Sequence, residues 1–376
     1  MNTVKILHCA DMHFDTPFSG LNRADGEKRK EDLRETFGNI VRLANEEQVQ
    51  IMLICGDLFD NDSVTKNTLE YIMMKFSEIS HIKIFIVPGN HDPLYEKCYY
   101  NIVKWPKNVH VFGVNWDMVE ISELNTRIYG RAFNKKYERA GFLEGFCVHD
   151  EAFINIMVLH GDVVASGQSS DYNPITVEQI ENSKLDYLAL GHKHSYSGII
   201  KSGNVSWSYS GNPEGRGFDE LGSKGIVLGT ISKKHCNLNY YETCKRKYFQ
   251  YKVDISSCLN NESIVNVILD TIQDKNSTMN FYRLFLTGDL EESVEINTEV
   301  LKEKLKRHFH YINMIDETTT RINYEDLKKQ YSLKGIYTAK MLERIDNTAD
   351  EKEKNKLKLA LKLGIKALSL GEVHIE

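Results

Sequence analysis

The chain holds no apolar run near the ~18 residues that a membrane span requires. Met1–Cys9 has no basic stretch leading into a long apolar core, so no secretory signal is expected. Basic residues are not in excess: 47 Lys and Arg stand against 53 Asp and Glu, a net charge of −6. That excludes a protein that coats nucleic acid through its overall charge, so any hold on phosphate must come from a local patch or from bound cations. Paired cysteines are absent too. Cys9, Cys55, Cys98, Cys147, Cys236, Cys244 and Cys258 are scattered without a C-x-x-C spacing. This excludes a disulfide scaffold, disfavours a thiolate zinc site, and predicts reduced thiols and a cytoplasmic location. There is no internal repeat and no low-complexity tract. At 41% hydrophobic and 27% charged residues the composition is that of a globular protein, and 376 residues predict two or three domains.

Apolar runs and helical stripes alternate along the first half. Val4–Leu7, Ile51–Cys55 and Ile84–Val87 read as strands. Between them, Leu33, Phe37, Ile40, Val41 and Ala44, and then Leu69, Ile72, Met73, Phe76 and Ile79, recur at helical spacing. Ile154–Leu159 and Tyr187–Leu190 are further strand candidates, and Gly198 to Val253 reads as short strands and turns. The strands are continuously apolar, which predicts an α/β fold with sheets covered on both faces.

Each of five apolar runs is followed at once by a polar cluster. They are Asp11-Met12-His13, Gly56-Asp57-Leu58-Phe59-Asp60, Gly89-Asn90-His91-Asp92, His160-Gly161-Asp162 and Gly191-His192-Lys193-His194. Ligands of open α/β sheets bind beyond the carboxyl ends of the strands, so five such loops can converge on one point. In extended chain, residues two apart point the same way, so Asp11 and His13 could reach one ion; His192 and His194 could do likewise, or could each face a neighbouring ion. The donors are oxygen and imidazole without thiolate, a set suited to Mn²⁺, Fe²⁺ or Zn²⁺ better than to Mg²⁺ alone. Asp57 could bridge two cations roughly 3.5–4 Å apart that clamp a phosphate and activate a water. Singly these motifs are weak; His308 and His310 form another H-x-H, which we read as solvated. Their order and placement as a set carry the inference.

The set D-x-H, G-D-x-x-D, G-N-H-D, H-G-D, G-H-x-H resembles the signature of the calcineurin-like metallophosphoesterases. Within that superfamily, Gly56–Asp60, Val87–Asp92 and Tyr209–Glu220 resemble the SbcD/YhaO-type DNA repair exonucleases. The resemblance implies a β-sandwich flanked by helices, a small α+β capping domain and C-terminal helices, divided at 1–255, 256–325 and 326–376. It implies that Asp11, His13 and His194 hold one metal, and that Asn90, His160 and His192 hold the other, with Asp57 bridging. His91 would contact phosphate and protonate the leaving oxygen, and Asp92 would orient His91. Some members carry histidine where Asp60 stands. Arg131 and Arg216 could approach phosphate or form surface ion pairs.

The implied activity is two-metal, Mn²⁺-dependent exonucleolytic cleavage of DNA by attack of metal hydroxide. Other readings are a phosphodiesterase or phosphatase acting on small molecules, and a non-catalytic DNA-tethering subunit. The implied partners are DNA, an SMC-type ATPase of the SbcC kind and a second copy of the chain. In the second half, Ile264–Ile272 and Thr298–Phe309 read as helices, Phe281–Leu286 and Tyr311–Ile315 as strands, and Gly335–Ile345 and Asp350–Ser369 as closing helices. The stripe Leu357, Leu361, Ile365 and Leu368 either packs on the chain's own second domain or docks on the ATPase; Leu69, Ile72, Met73 and Phe76 either join the core or meet a second copy.

Overall fold

The computed structural model describes residues 2–60, 64–291 and 293–370. The chain divides into two compact units. One comprises Met1–Gln250, Asn276–Arg283 and His308–Tyr311; the other comprises Tyr251–Lys275, Leu284–Arg307 and Ile312–Glu376.

The first unit holds two six-stranded mixed sheets. Across the first sheet the order is His235–Glu242, Gly225–Ser232, Thr3–Cys9, Ile51–Cys55, Lys83–Val87 and Val109–Val111. The last four of these run parallel. Across the second the order is Ile200–Ser202, Val205–Tyr209, Tyr187–Gly191, Ile154–His160, Thr126–Gly130 and Asp117–Ile121. Its middle four strands run parallel.

Alternate residues of each central strand enter different cores. Leu7, Met52, Ile54, Ile84 and Ile86 pack under Leu33, Phe37, Ile40, Ile72 and Phe76 of the helices Arg23–Glu46 and Lys66–Glu78. Ile6, Ile51, Leu53, Phe85 and Val87 face Ile128, Ile156, Val158, Tyr187 and Ala189 of the second sheet. Met157, Leu159, Leu188 and Leu190 lie beneath Phe133, Phe142 and Ile180 on the outer side of that sheet. Both faces of these strands are therefore dry, which is why their sequences are continuously apolar rather than alternating. Asn22 and Thr65 accept the backbone N–H groups of Asp25 and Thr68 and so start the two helices. Ile72 and Phe76 are wholly buried; that stripe belongs to the core, not to an open surface. The strands Val109–Val111, Asp117–Ile121 and Thr126–Gly130 had no clear sequence signal. They are short, and Asp117–Ile121 is a largely exposed edge.

Beyond residue 247, Tyr248–Asp254, Phe281–Thr287 and Tyr311–Asp316 form a three-stranded sheet in that order. In the second unit the helices Asn261–Thr271 and Thr298–Leu305 bury Ile264, Ile268, Leu301 and Leu305. Leu333–Asp346 and Glu351–Leu370 pair as a helical hairpin. Leu357, Leu361 and Ile365 are buried there with Leu327 and Ile345, against Tyr337 and Met341. These three are thus internal, and only Leu368, at 41% exposure, remains open. His308 is exposed, but His310 lies against Phe281, ring centroids 5.3 Å apart, and is not simply solvated as expected. No helix among the described residues is long and apolar enough to cross a membrane.

The two sheets meet tightly where the chemistry-bearing loops begin. A Cβ on Gly191 would stand 1.7 Å from the Cys55 carbonyl oxygen, and one on Gly56 would stand 2.2 Å from His160 Nδ1. Neither neighbour can yield without moving a strand end. Gly191→Ala is therefore expected to lower the unfolding free energy by about 3 kcal/mol, the upper part of the overpacking range. Urea denaturation measures it, and an unchanged midpoint would show that the strand ends can part freely.

Candidate metal centre

All five loops reach one edge of the sandwich. The loop after Cys9 lies beside the loop after Cys55: the N–H groups of Asp11, His13 and Phe14 donate to the carbonyls of Gly56, Asp57 and Leu58 at 3.1, 2.9 and 3.0 Å. Asp11, His13 and Asp57 have φ of 53°, 47° and 50°, and His192 has 103°. Left-handed backbone at a non-glycine residue costs on the order of 1–3 kcal/mol. Asp11 and His13 therefore converge through two left-handed turns. The extended-chain alternation expected from the sequence is not how they meet.

Seven of the predicted side chains come together. His13 Nε2 is 3.3 Å from His194 Nε2, and one Asp11 oxygen is grouped with them. On the other side, His160 Nε2 is 2.8 Å and His192 Nδ1 is 3.1 Å from Asn90 Oδ1. Asp57 Oδ2 lies between the two groups, 3.7 Å from His13 Nε2 and 3.5 Å from His160 Nε2. One carboxylate oxygen thus faces both sets.

The donor chemistry fits cations. His160 Nδ1 lies 2.9 Å from the Cys55 carbonyl, which only accepts, so Nδ1 carries the ring proton. Neutral Nε2 then turns its lone pair toward Asn90 Oδ1, another acceptor. On the other side Glu220 Oε1 lies 2.7 Å from His194 Nδ1 and fixes that proton in the same way, aiming Nε2 inward. Lone pairs facing lone pairs at these distances are a cradle for a positive ion. Burial lowers His13 and His160 to about 4, so both rings are neutral at pH 7. Burial and the neighbouring Asp57 push Asp11 well above the carboxylate range. Asp57 stays low, at about 2, because His160, His13 and His91 outweigh its burial.

His91 sits at the mouth with its side chain 35% exposed. Its N–H donates to Asp57 Oδ1 at 2.9 Å, and its Nδ1 lies 2.9 Å from Asp60 Oδ1. The bond to Asp60 raises His91 above its usual value, against a smaller opposing effect of burial. Asp92 does not orient His91, as had been expected. Its oxygens accept from the N–H groups of Gly89, Asp57 and Phe59 and from the Tyr100 hydroxyl, so it clamps two loops together. The orienting carboxylate is Asp60.

The two arginines are engaged elsewhere. Arg131 Nε donates to the Val114 carbonyl at 3.0 Å, and its guanidinium lies over Phe142. Arg216 binds Glu220 through its backbone and side chain and lies 3.0 Å from His194 Nδ1, so it acts on the histidine's partner. Glu220 stood in the sequence without an assigned role. It lies in an irregular segment 26 residues beyond His194, a separation that carries no periodic signal. Asp162 similarly approaches His192 Nε2, at 3.6 Å.

The chain is similar to known proteins. The family profile described as calcineurin-like phosphoesterase matches residues 4–196. The chain is 23% identical over 349 residues to "Uncharacterized metallophosphoesterase YhaO" of Bacillus subtilis strain 168, covering 87% of this chain and 85% of that protein. It is 26% identical over 238 residues to "DNA double-strand break repair protein Mre11" of Methanosarcina acetivorans, covering 61% of this chain and 37% of that one. Among solved structures, TT1561 of Thermus thermophilus aligns with a TM-score of 0.37 at 10% identity, over 62% of this chain and all of that one.

The Asp60–His91 pair has a pH signature. A histidine raised by its partner contributes stability that is complete below the unfolded value of ~6.5 and is lost as pH rises through the folded value. Asp60→Asn removes the charge that holds the proton, so His91 is expected to titrate at lower pH. Histidine ring NMR checks this; an unshifted His91 curve in Asp60→Asn would remove Asp60 from the role.

Proposed function

Since the chain belongs to the calcineurin-like phosphoesterase family, a family of metal-dependent hydrolases, we propose that it is a two-metal DNA exonuclease of the SbcD/YhaO type that processes DNA ends. The observation that carries the reading is the single Asp57 oxygen standing between Nε2 of His13 and Nε2 of His160, at 3.7 and 3.5 Å. A single-ion site has no use for that arrangement. The similarity to a protein named for double-strand break repair supports DNA as the substrate.

In this reading Asp11, His13 and His194 hold one ion, Asn90, His160 and His192 the other, and Asp57 both. Mn²⁺ suits the mixed oxygen and nitrogen donors. When bound, the ions supply Lewis acidity toward a phosphoryl oxygen and lower the pKa of a water nucleophile. The remaining work belongs to the chain. Glu220 and the Cys55 carbonyl keep the ring protons of His194 and His160 away from the centre. Asp60 favours the protonated form of His91 at the mouth, where it can stabilise charge on the phosphate and donate to the departing sugar oxygen. Asp92 positions the loop that carries Asn90 and His91.

The second unit would cap and grip DNA, and its C-terminal hairpin would meet an SMC-type ATPase. The apolar side chains left open there are Leu333, Ile336, Leu359 and Leu368. They replace the buried stripe as the docking residues, and co-purification of an Ile336→Glu, Leu359→Glu chain with the ATPase is the check. The seven unpaired cysteines agree with a reducing, cytoplasmic setting.

Paired variants separate ligand from acid. Asp57→Asn is expected to reduce occupancy of both ions, read by elemental analysis after dialysis. His91→Ala is expected to retain both ions while kcat on DNA falls by roughly 10²–10⁴-fold. Equal metal loss in the two variants would make His91 a ligand. Full nuclease activity in strong chelator would overturn the two-metal reading itself.

A further inference from the structure

The site does not end at His192. The Tyr172 ring lies against the His192 ring, centroids 4.8 Å apart with 38° between planes. The Tyr137 ring lies against Tyr172 at 5.8 Å and 43°. Tyr137 is 43% exposed, and Lys136 Nζ stands 5.6 Å from its ring centre. Three rings thus make a stair from a metal-facing histidine to the surface.

The stair is tied in place. Glu138 N–H donates to the Asp171 carbonyl at 2.8 Å, and the Glu138 carbonyl accepts from Asn173 N–H, which joins the two tyrosine-bearing loops. Tyr172 N–H donates to Ser170 Oγ at 3.0 Å, and that hydroxyl donates to Asp162 at 2.6 Å. The Asn173 side chain donates to the His160 carbonyl at 2.8 Å and accepts from Phe142 N–H at 2.7 Å. Both loops are therefore fixed to the strand end that carries His160.

Charge along the stair is largely answered at its inner part and open at its outer end. Lys193 pairs with Asp162, Arg139 with Asp171 at 2.7 Å, and Lys135 with Glu138 at 3.4 Å. Lys136 is exposed and makes no ion pair among the described residues. A half-open ring beside an unpaired ammonium presents a base with a stacking face and its phosphate with a cation. Inside a duplex the bases are stacked on one another and turn only their edges outward, so a duplex offers the ring no more than its terminal pair, whereas a single strand offers every base.

We propose that the strand entering the metal centre lies as a single strand over Tyr172 and Tyr137, with a base stacked on Tyr137 and a phosphate beside Lys136. The proposal rests on the nuclease reading and adds a binding platform and a strandedness to it.

The test measures binding of fluorescein-labelled phosphorothioate oligothymidylates, from a dinucleotide to a decanucleotide, to the metal-loaded full chain. The wild type is expected to gain affinity with length. Tyr137→Ala is expected to weaken binding of the decanucleotide by about tenfold, within the range for one lost stacked base, and to flatten the length dependence. Tyr137→Phe keeps the ring and is expected to keep the gain; Lys136→Ala is expected to reduce the salt dependence of binding. Wild-type length dependence in Tyr137→Ala overturns the platform and leaves the nuclease reading standing. A preference of the wild type for blunt duplex over the single strand overturns it as well. Hydrolysis of bis(4-nitrophenyl) phosphate by a wild-type chain that binds no oligonucleotide overturns the platform together with DNA as substrate.

Discussion

Two buried carboxylates of like charge set the terms for the rest of the first unit. Asp11 and Asp57 are each about 1% exposed, and each faces imidazole nitrogens whose protons are held on the far side of the ring. Burial first, and then repulsion by Asp57, push Asp11 well above the usual carboxylate range. Divalent cations held as proposed would turn that repulsion into attraction. On that reading folding and ion binding would be linked, and saturating ion would add stability as RT ln(1 + [L]/Kd). Neutral imidazoles matter here: burial lowers His13 and His160 to about 4, so at neutral pH neither ring carries a proton that a cation would have to displace.

The converging side chains are only as well placed as the groups behind them, and those groups lead far from the candidate centre. His194 depends on Glu220, which is held by Arg216 and Asn212. The segment carrying them is held in turn by a buried ion cluster. Arg29, wholly buried, donates to Glu214 and to the Gly215 carbonyl at 2.7 Å and to Asp32 at 2.8 Å. Arg246 donates to the same Asp32 at 2.7 Å, and Thr36 donates to Glu214 at 2.8 Å. Arg29 is further enclosed by the rings of Phe18, Tyr248 and Phe281. Removing one member of such a cluster leaves a buried charge unanswered, at about 3–5 kcal/mol. The helix Arg23–Glu46 is thus more than cover for a sheet. Its buried Arg29 fixes the irregular segment whose Glu220 holds His194.

What the sequence disclosed follows from which signals are local. The helices and the central strands were legible because burial on one stripe or on two faces writes itself into consecutive residues: Leu33 to Ala44 became Arg23–Glu46, and Ile154–Leu159 became Ile154–His160. The convergence of the ligand loops was legible because each follows a strand directly. Edge strands such as Asp117–Ile121 left no trace, since a half-solvated strand needs no apolar run. Partnerships across long separations were equally silent. Nothing in the spacing tells that Asp60 rather than the adjacent Asp92 pairs with His91, because Asp92 is consumed by backbone donors of three other residues and by Tyr100. The stripe of the last helix showed an apolar face correctly but not its occupant, which proved to be the preceding helix.

The backbone at the ligands explains why these positions are difficult for the chain to build. Glycine would adopt the left-handed turns at Asp11, His13, Asp57 and His192 without strain, yet glycine brings no donor atom. The site needs both the turn and the side chain, so the strain is retained and offset by bonds between loops. Asp11 N–H, His13 N–H and Phe14 N–H are satisfied by the neighbouring loop, His192 N–H by both oxygens of Asp11, and His91 N–H by Asp57. Each of those bonds joins one ligand-bearing segment to another. The network therefore holds strained turns and sets ligand spacing with the same contacts, and the geometry can be relaxed at one loop only by loosening the next.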